Sequence, residues 1–80
     1  MKIEARLEHH GDRLRPVLFF PDCVEREKTI GAYSPAEGHT SAARAYMRQC
    51  RKPESPEEYA AVFKLLGDYF TSAAQYAAKR

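Results

Sequence analysis

The sequence predicts an α+β domain in which a small three-stranded antiparallel sheet is followed by two helices packed on one face, in the order β-β-β-α-α. Three observations carry this expectation. The opening segment alternates apolar and charged residues with a period of two. Gly11-Asp12 then separates it from a second apolar run. From about Thr40 the apolar period lengthens to that of a helix, interrupted at Lys52-Pro53. The 80 residues are read as one domain, 1–80, because neither half of so short a chain would bury enough apolar surface to stand alone.

In Met1 to His10, Ile3, Ala5 and Leu7 fall on one side and Lys2, Glu4, Arg6 and Glu8 on the other, the pattern of a half-buried strand with a solvated outer face. Gly11-Asp12 is a tight-turn pair, and Leu14 to Phe20 completes a hairpin. Pro16 cannot donate to a ladder, so it belongs at a strand start, a bulge or an edge. Pro21-Asp22 is expected to break the second strand before a charged loop, and Lys28 to Tyr33 is the third strand. SPAEGH follows as a loop or short turn: Ser34 and Glu37 resemble a capping box, but Gly38 opposes a long helix there.

The first helix is expected from about Thr40, with Ala43, Tyr46, Met47 and Cys50 on its inner face and Lys52-Pro53 at its end. Ser55-Pro56-Glu57-Glu58 supplies an N-cap serine, a proline at the first helical position and an acid at the third. Advancing 100° per residue, Tyr59, Val62, Phe63, Leu66, Phe70, Ala73, Ala74 and Ala77 share an arc about 120° wide and form the predicted core face. Lys64, Asp68, Thr71, Gln75 and Lys79 lie opposite, and the helix is expected to run to the late seventies.

Composition narrows the function. A net charge of +2 is too small to argue for a polyanion partner except through local clustering. One such cluster exists: Arg44, Arg48, Arg51 and Lys52 fall within about 100° on the first helix, a solvated face or a surface that tracks phosphates. A phosphate-binding face would have to be continuous with other basic groups such as Arg13, Arg15 or Arg80. No aromatic is interleaved there for base stacking. The longest apolar run, Pro16 to Pro21, is far short of the roughly 20 residues that span a bilayer, and the first ten residues lack the apolar block of an export signal. A soluble cytoplasmic protein without membrane contact is expected, with Cys23 and Cys50 reduced.

Neither a cofactor nor a metal is implied. His9, His10 and His39 accompany no ligand pattern of fixed spacing, and Cys23, Ser34, Ser41 and Ser55 lie in no nucleophile motif. Glu57 and Glu58 are explained by the helix N-terminus. The chain is therefore not expected to be an enzyme. Apolar surface is in surplus instead. Leu14, Leu18 and Phe20 point one way from the second strand and Val17 and Phe19 the other, so one set shares a face with Glu4 and Arg6. On the second helix Leu65, Tyr69 and Tyr76 form a stripe beside the predicted core arc. Such surplus points to a non-catalytic protein-binding module, contacting another protein or forming a homodimer through Val17, Phe19, Leu65, Tyr69 and Tyr76. The alternative is a nucleic-acid-binding protein using Arg44, Arg48, Arg51 and Lys52.

IGAYSPAEGH followed by AYMRQCRKPESPEEYAAVFKLL, within Ile30 to Leu66, resembles small uncharacterised bacteriophage- and prophage-type proteins. In these a strand, a G-H loop, a tyrosine-containing helix and a KP-x-x-PEEY helix start follow one another. The resemblance implies no activity and no site residues, only an accessory protein that binds a host or phage macromolecule. The alanine-rich tail from Gly67 to Arg80 lies outside it.

Overall fold

Alternation over the first residues and the Gly11-Asp12 pair build a hairpin, as the computed structural model, which describes residues 2–78, shows. Strand β1, Glu4–His10, pairs antiparallel with β2, Arg13–Arg26, in a register that sets Glu4 opposite Phe19 and His10 opposite Arg13. Gly11 has φ 62° and Asp12 keeps a negative φ, the conformation that a two-residue turn of the II′ kind requires at its first central position. Met1, Lys79 and Arg80, which the sequence places in the first strand, on the polar helix face and among the basic groups, lie outside the described residues.

Pro16 sits opposite Leu7, whose own N–H and C=O point outward to Arg51, so the proline nitrogen faces the β3 side. Pairing with β3, Thr29–Ser34, begins only at Leu18 opposite Tyr33, and no ladder bond is lost at Pro16. The expected break at Pro21-Asp22 is instead a bulge. The register shifts between Phe20 opposite Gly31 and Val24 opposite Ile30, and β2 resumes to Arg26.

The sheet has four strands, not three: β4, Gly38–Ala43, occupies the segment predicted to begin the first helix. Ser34 pairs with Gly38 across a three-residue loop, and Gly38 takes φ 66°, the left-handed conformation that closes such hairpins. The Ser34–Glu37 bond does form, with the Glu37 N–H donating to Ser34 Oγ at 3.2 Å, but it stabilises this turn and not a helix start. Ala42 and Ala43 favour helix by propensity; the open edge of β3 overrides that preference by supplying a full row of hydrogen-bond partners, from Ser34 to Thr29. The strand order is β1-β2-β3-β4, an antiparallel meander.

Helix α1 is therefore only six residues, Arg44–Gln49. It crosses one face of the sheet, where Met47 and Cys50 join Val17, Phe19, Ile30 and Ala32 in a core cluster. Cys50 is buried and Cys23 exposed, and no disulfide joins them. Beyond α1 the chain returns to β1: the Leu7 N–H donates to Arg51 O at 2.7 Å and the Arg51 N–H to Leu7 O at 3.0 Å, capping part of that edge.

Helix α2, Pro56–Ala78, starts where the sequence signals it should. The Glu58 N–H donates to Ser55 Oγ at 3.2 Å while the Ser55 N–H donates to Glu58 Oε1 at 3.1 Å, a reciprocal capping box. Leu65, with Leu66 and Tyr69 beside it, packs on Leu18 and Phe20. These two residues point away from Val17 and Phe19, so the helices lie on opposite faces of the sheet, contrary to the one-sided arrangement expected. That arrangement disposes of the apolar surplus on β2: each face has a helix of its own. Among the described residues, no helix is long and apolar enough to cross a membrane.

Arg51 also holds the α2 start, donating to Glu58 Oε1 at 3.3 Å and to its Oε2. Together with the backbone N–H bonds from Glu54 and Ser55, the guanidinium holds the Glu58 carboxyl down at about 2, from an ordinary 4.5. A folded-state value depressed in this way contributes stability that is complete above pH 4.5 and is lost as pH falls toward about 2. Urea midpoints measured across that window should fall less steeply in Glu58→Gln than in wild type. Equal slopes would show that the Arg51–Glu58 contact has no energetic weight.

Candidate protein-contact surface

Five residues were singled out by sequence as protein contacts, and the fold removes most of them from the surface. Val17 is 4% exposed and Phe19 0%, both beneath α1, and Leu65 is 3% exposed against Leu18 and Phe20. Tyr69 is half-buried, its ring centroid 5.0 Å from that of Phe20 and 5.4 Å from that of Tyr33. Of the five only Tyr76 remains exposed.

The other exposed large apolar residues of α2 come from the predicted core arc. Tyr59 is 46% exposed, Phe63 66% and Phe70 55%. On the helical wheel they lie within about 40° of one another, and roughly 110° from the face made by Val62, Leu65 and Tyr69. Ala60, Gly67, Ala74 and Ala77 flank them, so the strip carries no charge. Tyr59 and Phe63 stand with ring centroids 6.5 Å apart, and Phe70 leans on Tyr69 at 5.2 Å. Through Phe70 the strip thus adjoins the aromatic group of buried Phe20 and half-buried Tyr33 and Tyr69.

Sequence reasoning missed this face because α2 is apolar round roughly 200° of its circumference, and a wheel cannot say which part of so wide an arc docks. The sheet decides it: Leu18 and Phe20 project side by side from β2 and receive Leu65, Leu66 and Tyr69. The available signal was breadth: an apolar arc of roughly 200° is wider than the stripe of about 100° that a helix needs to face a core, so part of it had to remain outside.

The four basic candidates do not form one surface. Arg51 and Lys52 lie beyond the six-residue α1, so the helical spacing that grouped them is absent. Arg51 is committed to Glu58 and approaches Glu54 at 3.4 Å, and Arg44 donates to the Pro21 carbonyl at 2.9 Å. Arg15, a possible extension, pairs with Glu8 at 3.3 Å. Arg48 and Lys52 are exposed.

The Tyr46 hydroxyl donates to Glu8 Oε2 at 2.6 Å, and that bond, with burial, raises its pKa further above neutrality. Burial pushes the Cys50 thiol up as well. Both line or adjoin the α1 side of the sheet, where a shallow hollow of about 320 Å³ has Val17, Phe19 and Ala32 as its floor and Glu8, Ser34, Thr40 and Tyr46 at its rim. His9 and His10 are exposed on the hairpin, and His39 packs its ring against Tyr33 at 4.9 Å and Tyr69 at 5.7 Å. Among the described residues, no group of three His, Cys, Asp or Glu side chains is placed to hold a metal ion.

Comparison of the chain with protein-family models, with curated proteins and with solved structures found no match.

Proposed function

We propose that the chain is a non-catalytic protein-binding module whose contact surface is the exposed aromatic strip of α2, Tyr59, Phe63 and Phe70. The carrying observation is that these three rings stand in solvent on a helix whose other side is already packed on the sheet. Monomeric domains seldom leave contiguous aromatic surface uncovered, and aromatic residues are the side chains most enriched at protein interfaces. The accessory role implied by the bacteriophage-type resemblance belongs to the same proposal.

The nucleic-acid alternative keeps one supporting feature. Lys28, Arg44 and Arg48 line a hollow of about 290 Å³ in which Glu27 is the acidic member. One of its cations is partly engaged, however: the Arg44 guanidinium donates to the Pro21 carbonyl at 2.9 Å. Protein contact is the stronger reading because its residues are exposed and uncommitted to a core cluster.

A photo-crosslinking side chain at position 63 should give a discrete covalent adduct in the cells that encode the protein, and the same group at Gln75, on the polar face, should not. Absence of an adduct at 63 overturns the reading. Salt-sensitive binding of DNA or RNA that is lost in Arg48→Ala would favour the alternative in its place.

A further inference from the structure

We infer that the occupant of the α2 strip is a second copy of the chain, with the two α2 helices pairing antiparallel about a twofold axis near Gly67. This rests on the reading of the strip as a contact surface and adds its partner. The first ground is spacing. Tyr59, Phe63, Leu66, Phe70, Ala73 and Ala77 follow one another at intervals of 4, 3, 4, 3 and 4. That is a heptad seam, the 3.5-residue repeat of helices packed along each other, carried through 19 residues or about 27 Å of helix. Docking on the β2 side needs only Val62, Leu65, Leu66 and Tyr69, so the longer repeat is surplus to the monomer.

The second ground is self-complementarity. Two identical faces bring like charges together unless the face is neutral, and this strip has no charged residue along it. With the axis level with position 68, the midpoint of the seam, Tyr59 lies opposite Ala77 of the second copy, Phe63 opposite Ala73 and Leu66 opposite Phe70. Large side chains then meet small ones at the first two positions, and Leu66 meets a ring on each side of the axis. Space exists for this: nothing comes within 4 Å of a Cβ built at Gly67. A parallel pairing would set Tyr59 on Tyr59, Phe63 on Phe63 and Gly67 on Gly67, and would align the helix dipoles unfavourably.

The third ground is area. Rings exposed by 46–66%, at about 200 Å² for a whole aromatic side chain, leave roughly 300 Å² on each copy. Leu66 and the flanking alanines raise the total for both copies to about 1,000 Å², the lower limit for a specific interface. The interface is therefore at the small end of specific contacts, and the dimer is concentration-dependent.

Sedimentation of the full chain from about 5 to 500 µM should show monomer converting to dimer, with Phe63→Glu or Phe70→Glu weakening association at least about tenfold at unchanged circular dichroism. Register is read by cysteine crosslinking in a Cys23→Ser background: Gly67→Cys should link to itself across the axis, and Ala74→Cys, displaced from it, should not. A wild-type monomer at the highest concentration, a dimer indifferent to both glutamates, or equal crosslinking at 67 and 74 overturns the inference. If purified protein is monomeric yet position 63 gives an adduct of other mass in cells, self-pairing fails while the contact surface stands; if 63 gives no adduct at all, both fail.

Discussion

Phe19→Ala should lower the free energy of unfolding by about 3–5 kcal/mol, the usual cost of emptying a fully buried aromatic site. The ring is wholly inaccessible, held among Val17, Ile30, Ala32, Met47 and Cys50, and its edge meets Tyr46 with centroids 6.4 Å apart. None of its neighbours can collapse easily into the space, because four of them are fixed by strands or by the short α1. At about 0.05–0.15 kcal/mol per residue the whole domain is worth only some 4–12 kcal/mol, so the substitution removes a large part of its stability. Urea denaturation followed by circular dichroism measures this directly. The sequence had offered Phe19 as a contact residue, which requires the opposite result: an unchanged midpoint with loss of partner binding.

A second large effect separates the two apolar faces of α2. Leu65→Ala should cost about 2–4 kcal/mol, since the side chain is 3% exposed between Leu18 and Phe20. Phe63→Ala, two residues away and 66% exposed, should change monomer stability by no more than about 0.5 kcal/mol. Both are measured in urea at concentrations low enough to keep the chain monomeric, because association would otherwise add its own stabilisation to the wild type. A reversed order, with Phe63 costly and Leu65 neutral, would mean that α2 docks through the arc the helical wheel favoured. The aromatic strip, and the dimer built on it, would then have no surface to stand on.

These two experiments fall on the residues where sequence and fold part company, for one reason. Periodicity reports that a segment has an apolar side but not which neighbour receives it. On β2 every residue from Val17 to Phe20 is apolar, and such a run is satisfied only when both sheet faces are covered. A single-sided sheet was the simpler expectation, and it forced Val17 and Phe19 outward as contact residues. Once α1 crosses one face and α2 the other, the same four residues are all core. On α2 the wide apolar arc led to the same ambiguity with the opposite outcome, turning presumed core rings into surface.

The basic cluster illustrates a different gap. Arg44, Arg48, Arg51 and Lys52 share a helical face only if the helix continues to residue 52, and it stops at Gln49. Arg51 then becomes a joint between β1 and the start of α2, through two backbone bonds and its contacts with Glu58. Its position before Pro53 and the capping box was visible in the sequence; its partner Leu7, more than forty residues earlier, was not.

Features that depend on a few adjacent residues could be read without a fold. Gly11-Asp12 makes its turn because glycine alone tolerates the required φ, and Ser55 with Glu58 starts α2 because their bonds close within a single helical turn. The third strand and the alternation of β1 follow equally from local pattern. Only the tertiary structure could settle the identity of β4, the separation of the helices onto opposite faces and the face of α2 left in water. Each is a choice between local options of similar energy, made by distant partners: the open edge of β3 draws Gly38–Ala43 into the sheet, and the paired projections of Leu18 and Phe20 turn α2 so that Tyr59, Phe63 and Phe70 look outward.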